Sequence, residues 1–171
     1  MTELTDWKEL LLANAPDVKV ANKVIIALQR LFESDAELLI RDLHEQTITG
    51  NLACHLRRCF PKWHVDCEYN RDGHEIKKTD GKMVKPDIIV HRRGKPKNLL
   101  VIEVKKSNSQ VHDEEDIQKL RDYCDGSLRY KIGLFLKLTV GDNAPGLTII
   151  KWVKGVMCPT HLTPPIAIEP R

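Results

Sequence analysis

The sequence has no long apolar run and no recognisable secretory leader. No stretch of 18 apolar residues occurs in the 171 residues, and Met1–Trp7 contains neither a basic start nor an apolar core. A membrane-spanning helix needs an apolar run of about that length. We therefore expect a soluble, cytoplasmic protein that is not exported and has no membrane partner.

Several common site motifs are also absent. The five cysteines are odd in number and include no Cys-x-x-Cys pair, which favours reduced thiols over a disulfide framework. Cys54, His55 and Cys59 are close in sequence, but their spacing fits no common zinc site. No histidine pair has His-Glu-x-x-His spacing, so we expect structural or surface roles for the seven histidines. The chain has no internal repeat, low-complexity block or glycine-rich phosphate loop.

The apolar pattern predicts an α/β fold. A chain of 171 residues suits one domain and is long enough to bury about two-thirds of its unfolded surface. Helical spacing predicts a helix capped by Thr5 or Asp6, then helices at about 16–33, 45–59 and 113–125, the last capped by Asp113. Ser34–Glu37 has capping-box form, so either a short helix or an extended segment follows. Further strands are predicted at 131–140 and 147–153, a long polar loop at 71–82, and an extended proline-rich tail at 159–171.

The first predicted strand, at 63–70, alternates between apolar and polar residues. One face carries Trp63, Val65, Cys67 and Tyr69, and the other carries His64, Asp66, Glu68 and Asn70. We expect the polar face, including Asp66 and Glu68, to contact solvent.

Two apolar segments, 85–90 and 99–106, are separated by Gly94, Pro96 and Asn98 and predict an antiparallel hairpin. A simple register places Asp87 opposite Glu103 or Val104. Because side chains alternate between faces, Glu103 and Lys105 share one face, and the first register adds Asp87 to it. Two converging carboxylates suit Mg²⁺. The alternative is an exposed hairpin face with a Glu-x-Lys pair worth a few tenths of a kcal/mol.

Charge is unevenly distributed along the chain. Residues 71–106 hold 11 Lys and Arg against 5 Asp and Glu, a net of +6, whereas the whole chain carries +3. The basic excess surrounds the acidic hairpin, as expected of a site that holds a polyanion over a metal ion. The alternative interpretation is a set of solvated lysine-rich loops.

The pair Pro86-Asp87, followed by Glu103-Val104-Lys105, resembles the PD-(D/E)XK nuclease superfamily over roughly residues 45–153. The resemblance implies a restriction-endonuclease-like αβββαβ core, with a mixed central sheet flanked by helices. Residues 1–34 would then be an N-terminal helical addition to this core. It further implies phosphodiester hydrolysis with Mg²⁺, for which Mn²⁺ substitutes.

The resemblance also assigns roles to residues of this chain. Asp87, Glu103 and the Val104 carbonyl are the implied metal ligands, and Lys105 is implied to orient the nucleophile. Glu45, at the start of a predicted helix, is the candidate third acidic ligand; alternatively it only favours the helix N-terminus electrostatically. The expected catalytic set is therefore Glu45, Asp87, Glu103 and Lys105.

The substrate implied by the resemblance is nucleic acid, with DNA favoured over RNA. Candidate contacts are Tyr69, Arg71, Lys77, Lys78, Arg92, Arg93 and Lys119. His91, four residues after Asp87, points either into the site or toward solvent. A homodimer, a nicking monomer, and association with a helicase or recognition subunit all remain open. Two competing hypotheses are a non-cleaving binding module with a nuclease-like fold and a subunit of a restriction, repair or mobile-element complex.

Overall fold

The computed structural model of the protein describes residues 6–69 and 85–155, and between them only the backbone of four two-residue strands. The first part contains α1 (Trp7–Ala13), α2 (Val18–Ser34), α3 (Ala36–Ile40), α4 (Glu45–Cys59) and β1 (His64–Cys67). The short strands are β2 (Arg71–Asp72), β3 (Glu75–Ile76), β4 (Lys78–Thr79) and β5 (Lys82–Met83). The remainder contains β6 (Ile88–Arg92), β7 (Lys97–Lys106), α5 (Asp113–Asp125), β8 (Ile132–Thr139) and β9 (Gly146–Lys154). No described helix is long and apolar enough to cross a membrane.

Five strands form one mixed sheet in the order β1-β6-β7-β8-β9. Neighbouring strands are antiparallel except β7 and β8, which are parallel and are joined through α5. A parallel pair requires such a crossover connection. The structure therefore confirms the α/β class with a mixed sheet flanked by helices. It also confirms the hairpin, in which Ile88 of β6 pairs with Ile102 of β7.

The sheet separates two hydrophobic cores. Ile88, Ile102 and Val104 pack with the N-terminal helices on one face, whereas Ile89 and Val101 pack with α5 on the other. This alternation follows from the two-residue period of a strand. Because Glu103 and Lys105 continue the face of Val101, the charged end of β7 faces the α5 side of the sheet.

Three aspartates near helix starts make contacts that the sequence did not predict. Asp6 caps α1 as predicted, but Asp17 accepts hydrogen bonds from the next turn, so α2 begins after it rather than at 16. Asp35 precedes α3 without a side-chain cap bond, because its carboxylate contacts His55 Nε2 at 2.6 Å. Asp113 likewise does not cap α5 and instead binds Lys137 Nζ at 2.9 Å.

The region after α4 requires two corrections. Within the described residues 63–69, the predicted strand at 63–70 covers His64–Cys67, since Glu68 takes a left-handed backbone conformation with φ 47°. The segment predicted as a long polar loop at 71–82 contributes to two antiparallel pairings, β2 with β3 and β4 with β5. The predicted tail at 159–171 lies outside the described residues.

Candidate metal and catalytic site

The hairpin brings Asp87 next to Glu103. The pairing of Ile88 with Ile102 continues to Asp87 opposite Glu103, which selects the first of the two predicted registers. Asp87 Oδ2 accepts a hydrogen bond from the Val104 backbone N–H at 2.8 Å. This bond fixes the Asp87 carboxylate against β7, one residue beyond Glu103.

Glu103 is a buried carboxylate whose oxygens are incompletely bonded. The residue is 6% exposed, and Oε1 has no hydrogen-bond partner. Burial raises the pKa of Glu103 well above its usual value, and the nearby charges of Asp87 and Asp116 act in the same direction. An unpaired buried oxygen costs about 1–3 kcal/mol, and more when charged. A bound cation would remove this cost.

Negative charge also converges on Asp87. Burial raises the pKa of Asp87, and the carboxylates of Glu45 and Asp116 raise it further, against the Val104 N–H and the Lys105 ammonium. These carboxylates therefore lie close enough to repel one another. Such an arrangement is electrostatically suited to a cation.

Glu45 is the first residue of α4 and reaches the end of β7. Its Oε2 accepts a hydrogen bond from the Lys106 backbone N–H at 3.2 Å. The Lys106 ammonium in turn donates to Asp42 Oδ1 at 2.8 Å, and Asn108 Nδ2 donates to Asp42 Oδ2 at 2.6 Å. Asp42 takes a left-handed conformation at φ 52°, which positions this turn before α4. These contacts hold the Glu45 carboxylate at the same end of the sheet as Asp87.

Lys105 points toward α5 and pairs with a residue that the sequence reasoning missed. Its Nζ lies 3.0 Å from Asp116 Oδ2, an ion-pair distance without hydrogen-bond alignment. Asp116 Oδ1 accepts a hydrogen bond from Lys119 Nζ at 2.7 Å. A signal was available in the sequence, because Asp116 precedes Leu120 and Tyr123 by four and seven residues, on the buried stripe of α5.

A pocket of about 160 Å³ opens beside Asp87 at the start of α4. Glu68 extends into it from the end of β1, where it accepts from Gln46 Nε2 at 2.9 Å and pairs with Lys85 Nζ at 2.8 Å. The prediction that Glu68 simply contacts solvent is therefore incomplete. The left-handed turn that redirects its side chain has no sequence signal. The pocket lining comprises Glu45, Gln46, Thr49, Cys67, Glu68 and Asp87.

The polar face of β1 is partly buried, contrary to prediction. Asp66 is 8% exposed and accepts hydrogen bonds from Arg93 Nε at 2.8 Å and from a second guanidinium nitrogen, while His91 Nε2 lies 2.9 Å away. His91 is therefore buried and does not point to solvent, and the Tyr69 ring packs against it at 4.8 Å. The Arg93 guanidinium is already engaged, although its side chain remains half exposed.

We expect Asp66→Asn to lower the free energy of unfolding at pH 7 by about 2 kcal/mol, since it removes the carboxylate charge and one of the two acceptor oxygens that face Arg93 and His91. Burial acts to raise the pKa of Asp66, but these hydrogen bonds outweigh it and lower the pKa. The contribution of the Asp66 carboxylate to stability is thus present above 3.8, its pKa in the unfolded chain. It is lost as the pH falls through the lower pKa of the folded protein. Urea unfolding at neutral and acidic pH measures it.

The matched control for this measurement is Glu37→Gln, which removes an exposed pair with Arg41. We expect it to change stability by less than about 0.5 kcal/mol. Equal effects of the two substitutions would contradict a stabilising role for Asp66.

The remaining candidate substrate contacts are dispersed. The Arg92 guanidinium lies 5.4 Å from the Trp63 ring, at the β1 edge of the sheet, and Lys119 lies beside Asp116. The side chains of Arg71, Lys77 and Lys78 lie outside the described part of the structure.

The carboxylate oxygens of Asp87 and Glu103 are of the kind that binds Mg²⁺. Within the described residues, no group of three or more His, Cys, Asp or Glu side chains forms a ready-made metal site. Mg²⁺ does not require such a cage, because it is commonly bound by one or two carboxylates together with water and substrate phosphates. The unpartnered Glu103 Oε1 beside Asp87 supplies such oxygen donors.

Comparisons with protein-family models, with curated proteins and with solved structures find no match to this chain. A functional conclusion therefore depends on the residues and geometry of the site.

Proposed function

We propose that this protein is a Mg²⁺-dependent nuclease of the PD-(D/E)XK kind, acting on nucleic acid and on DNA in particular. The observation that carries the proposal is the clustering of Asp87 with Glu103, whose buried Oε1 has no partner, near the Lys105 ammonium. The order α4, β1, β6, β7, α5, β8, with the short strands β2–β5 between β1 and β6, supports it, because the expected core has the order αβββαβ.

Asp87, Glu103 and the Val104 carbonyl would hold the metal ion, and Glu45 would bind it or its waters. When bound, Mg²⁺ would polarise the scissile phosphate and lower the pKa of a water molecule. The Lys105 ammonium orients the attacking water and offsets the negative charge that develops on the phosphate. Water adds to phosphorus and one P–O ester bond breaks, which leaves a phosphate monoester and a hydroxyl group.

The test is an incubation of the protein with Mg²⁺ or Mn²⁺ and a panel of linear, circular, single-stranded, branched and RNA substrates. We expect metal-dependent cleavage of at least one substrate and none with EDTA. Binding without cleavage across the panel would favour the non-cleaving module. Cleavage only after a helicase or recognition subunit is added would favour the role of a subunit.

The excess of basic residues in the sequence from 71 to 106 predicts a salt-dependent affinity. We expect Lys77→Ala combined with Lys78→Ala to weaken binding to all sequences alike. Each lost phosphate contact should reduce the slope of log affinity against log salt by about 0.7 to 0.9. Fluorescence anisotropy with a labelled oligonucleotide at several salt concentrations measures both quantities.

The control is a Mg²⁺ titration of the same double variant without substrate, which should match that of the unmodified protein. If the double variant keeps both the affinity and the slope, these lysines are only a solvated surface and the nucleic acid binds elsewhere.

A further inference from the structure

Lys105 and Lys119 share one buried carboxylate on α5. Asp116 is 2% exposed and directs Oδ2 to Lys105 at 3.0 Å and Oδ1 to Lys119 at 2.7 Å. Two ammonium groups and one carboxylate leave one surplus positive charge. Since the Lys105 side chain is 15% exposed and that of Lys119 is 51% exposed, the surplus extends from the carboxylates toward the surface.

This group lies within electrostatic reach of the proposed metal ligands. Asp116 raises the pKa of Glu103 and Lys119 lowers it. In the same way, Asp116 raises the pKa of Asp87 and Lys105 lowers it. Lys105 and Glu103 lie two residues apart and therefore share one face of β7, and α5 packs over that face. A long lysine side chain has many rotamers, so a fixed partner is needed to hold its ammonium near the reacting phosphate.

We propose that Asp116 is a positioning residue that holds the Lys105 ammonium beside Asp87 and Glu103. This inference rests on the proposed nuclease function. Asp116 acts only through Lys105 and does not itself contact the scissile phosphate.

The neighbouring strand provides a matched control. Lys137 of β8 pairs in register with Lys105 of β7, and its ammonium binds Asp113 of α5 at 2.9 Å. Both ion pairs therefore connect the same helix to adjacent strands, but only the pair of Lys105 with Asp116 lies beside Glu103. If these contacts only stabilise helix packing, Asp113→Asn and Asp116→Asn should have similar effects.

The experiment compares single-turnover cleavage at saturating substrate for Asp116→Asn, Asp113→Asn, Lys105→Met and the combination of Asp116→Asn with Lys105→Met. We expect Asp116→Asn to slow cleavage about 10- to 100-fold without weakening substrate affinity, since it misplaces Lys105 and removes a negative charge. We expect Asp113→Asn to be nearly neutral. In the Lys105→Met background, Asp116→Asn should have no further effect.

A second measurement is independent of activity: the NMR order parameter of the Lys105 Cε methylene, assigned by its loss in Lys105→Met. We expect it to fall in Asp116→Asn and to stay unchanged in Asp113→Asn. An unchanged order parameter in Asp116→Asn would overturn the inference. Equal slowing by both asparagine variants, or further slowing of Lys105→Met by Asp116→Asn, would also overturn it.

A different result would show that the proposed nuclease function is wrong. Unmodified protein that cleaves no substrate overturns the nuclease proposal. The order parameter of Lys105 then still decides whether Asp116 positions this lysine.

Discussion

Asp87→Ala is expected to reduce Mg²⁺-dependent cleavage by at least about 10³-fold, while the protein stays folded. The Asp87 carboxylate accepts a hydrogen bond from the Val104 N–H and lies opposite Glu103 in the hairpin, so the substitution removes one of the two carboxylates proposed to hold the metal ion. The folded protein loses little, because burial and neighbouring carboxylates already raise the pKa of Asp87 and make its charge unfavourable. Cleavage rates and thermal unfolding measured on the same preparation separate the two effects.

The control for this variant is Glu33→Ala, which removes an exposed carboxylate from α2, on the other side of the sheet. It should leave the cleavage rate unchanged. Normal cleavage by Asp87→Ala would exclude Asp87 as a metal ligand and, with it, the proposed mechanism.

Elements with strong local signals were predictable from the sequence. The helix expected at 45–59 is α4, and the helix expected at 113–125 is α5, because apolar spacing and end signals such as Gly126 define both locally. The hairpin followed from two β-branched runs separated by a turn. Its alternation also brought Glu103 and Lys105 to one face, since that depends only on the period of a strand.

The missed parts of the site depend on contacts between distant segments. Asp66 is buried because Arg93, 27 residues away, supplies donors to it, and nothing local distinguishes it from a solvent-facing aspartate. Glu68 enters the pocket because its backbone turns left-handed at the end of β1. The helical spacing places Asp116 on the buried stripe of α5, but its partner Lys105 lies on a different element, and local sequence does not identify that pairing.

The cluster of carboxylates also implies that the metal-free site reduces stability. Glu103 and Asp87 both have raised pKa values in the folded protein. The folded state therefore binds protons more tightly than the unfolded chain, and stability falls as the pH rises. The protonated Glu103 side chain contributes fully to stability below pH 4.5, its usual pKa. This contribution is lost as the pH rises through the higher pKa of Glu103 in the folded protein. Functional sites commonly reduce stability in this way.

Glu103→Gln should consequently abolish cleavage and stabilise the metal-free protein. At about pH 8 we expect unfolding to require about 1–3 kcal/mol more than in the unmodified protein, because the variant no longer buries a charged oxygen without a hydrogen-bond partner. Thermal unfolding in EDTA across a pH series measures the gain, which should shrink toward about pH 4, where the glutamate is protonated in both states.

Two comparisons test the cause of this gain. Glu115→Gln, an exposed change in α5, should leave the pH dependence of stability unchanged. Added Mg²⁺ should stabilise the unmodified protein more than Glu103→Gln, since binding to the folded state alone raises stability by mass action. If Glu103→Gln proves less stable in EDTA at alkaline pH, the Glu103 carboxylate is satisfied without a cation, and the case for a metal ion at this position fails.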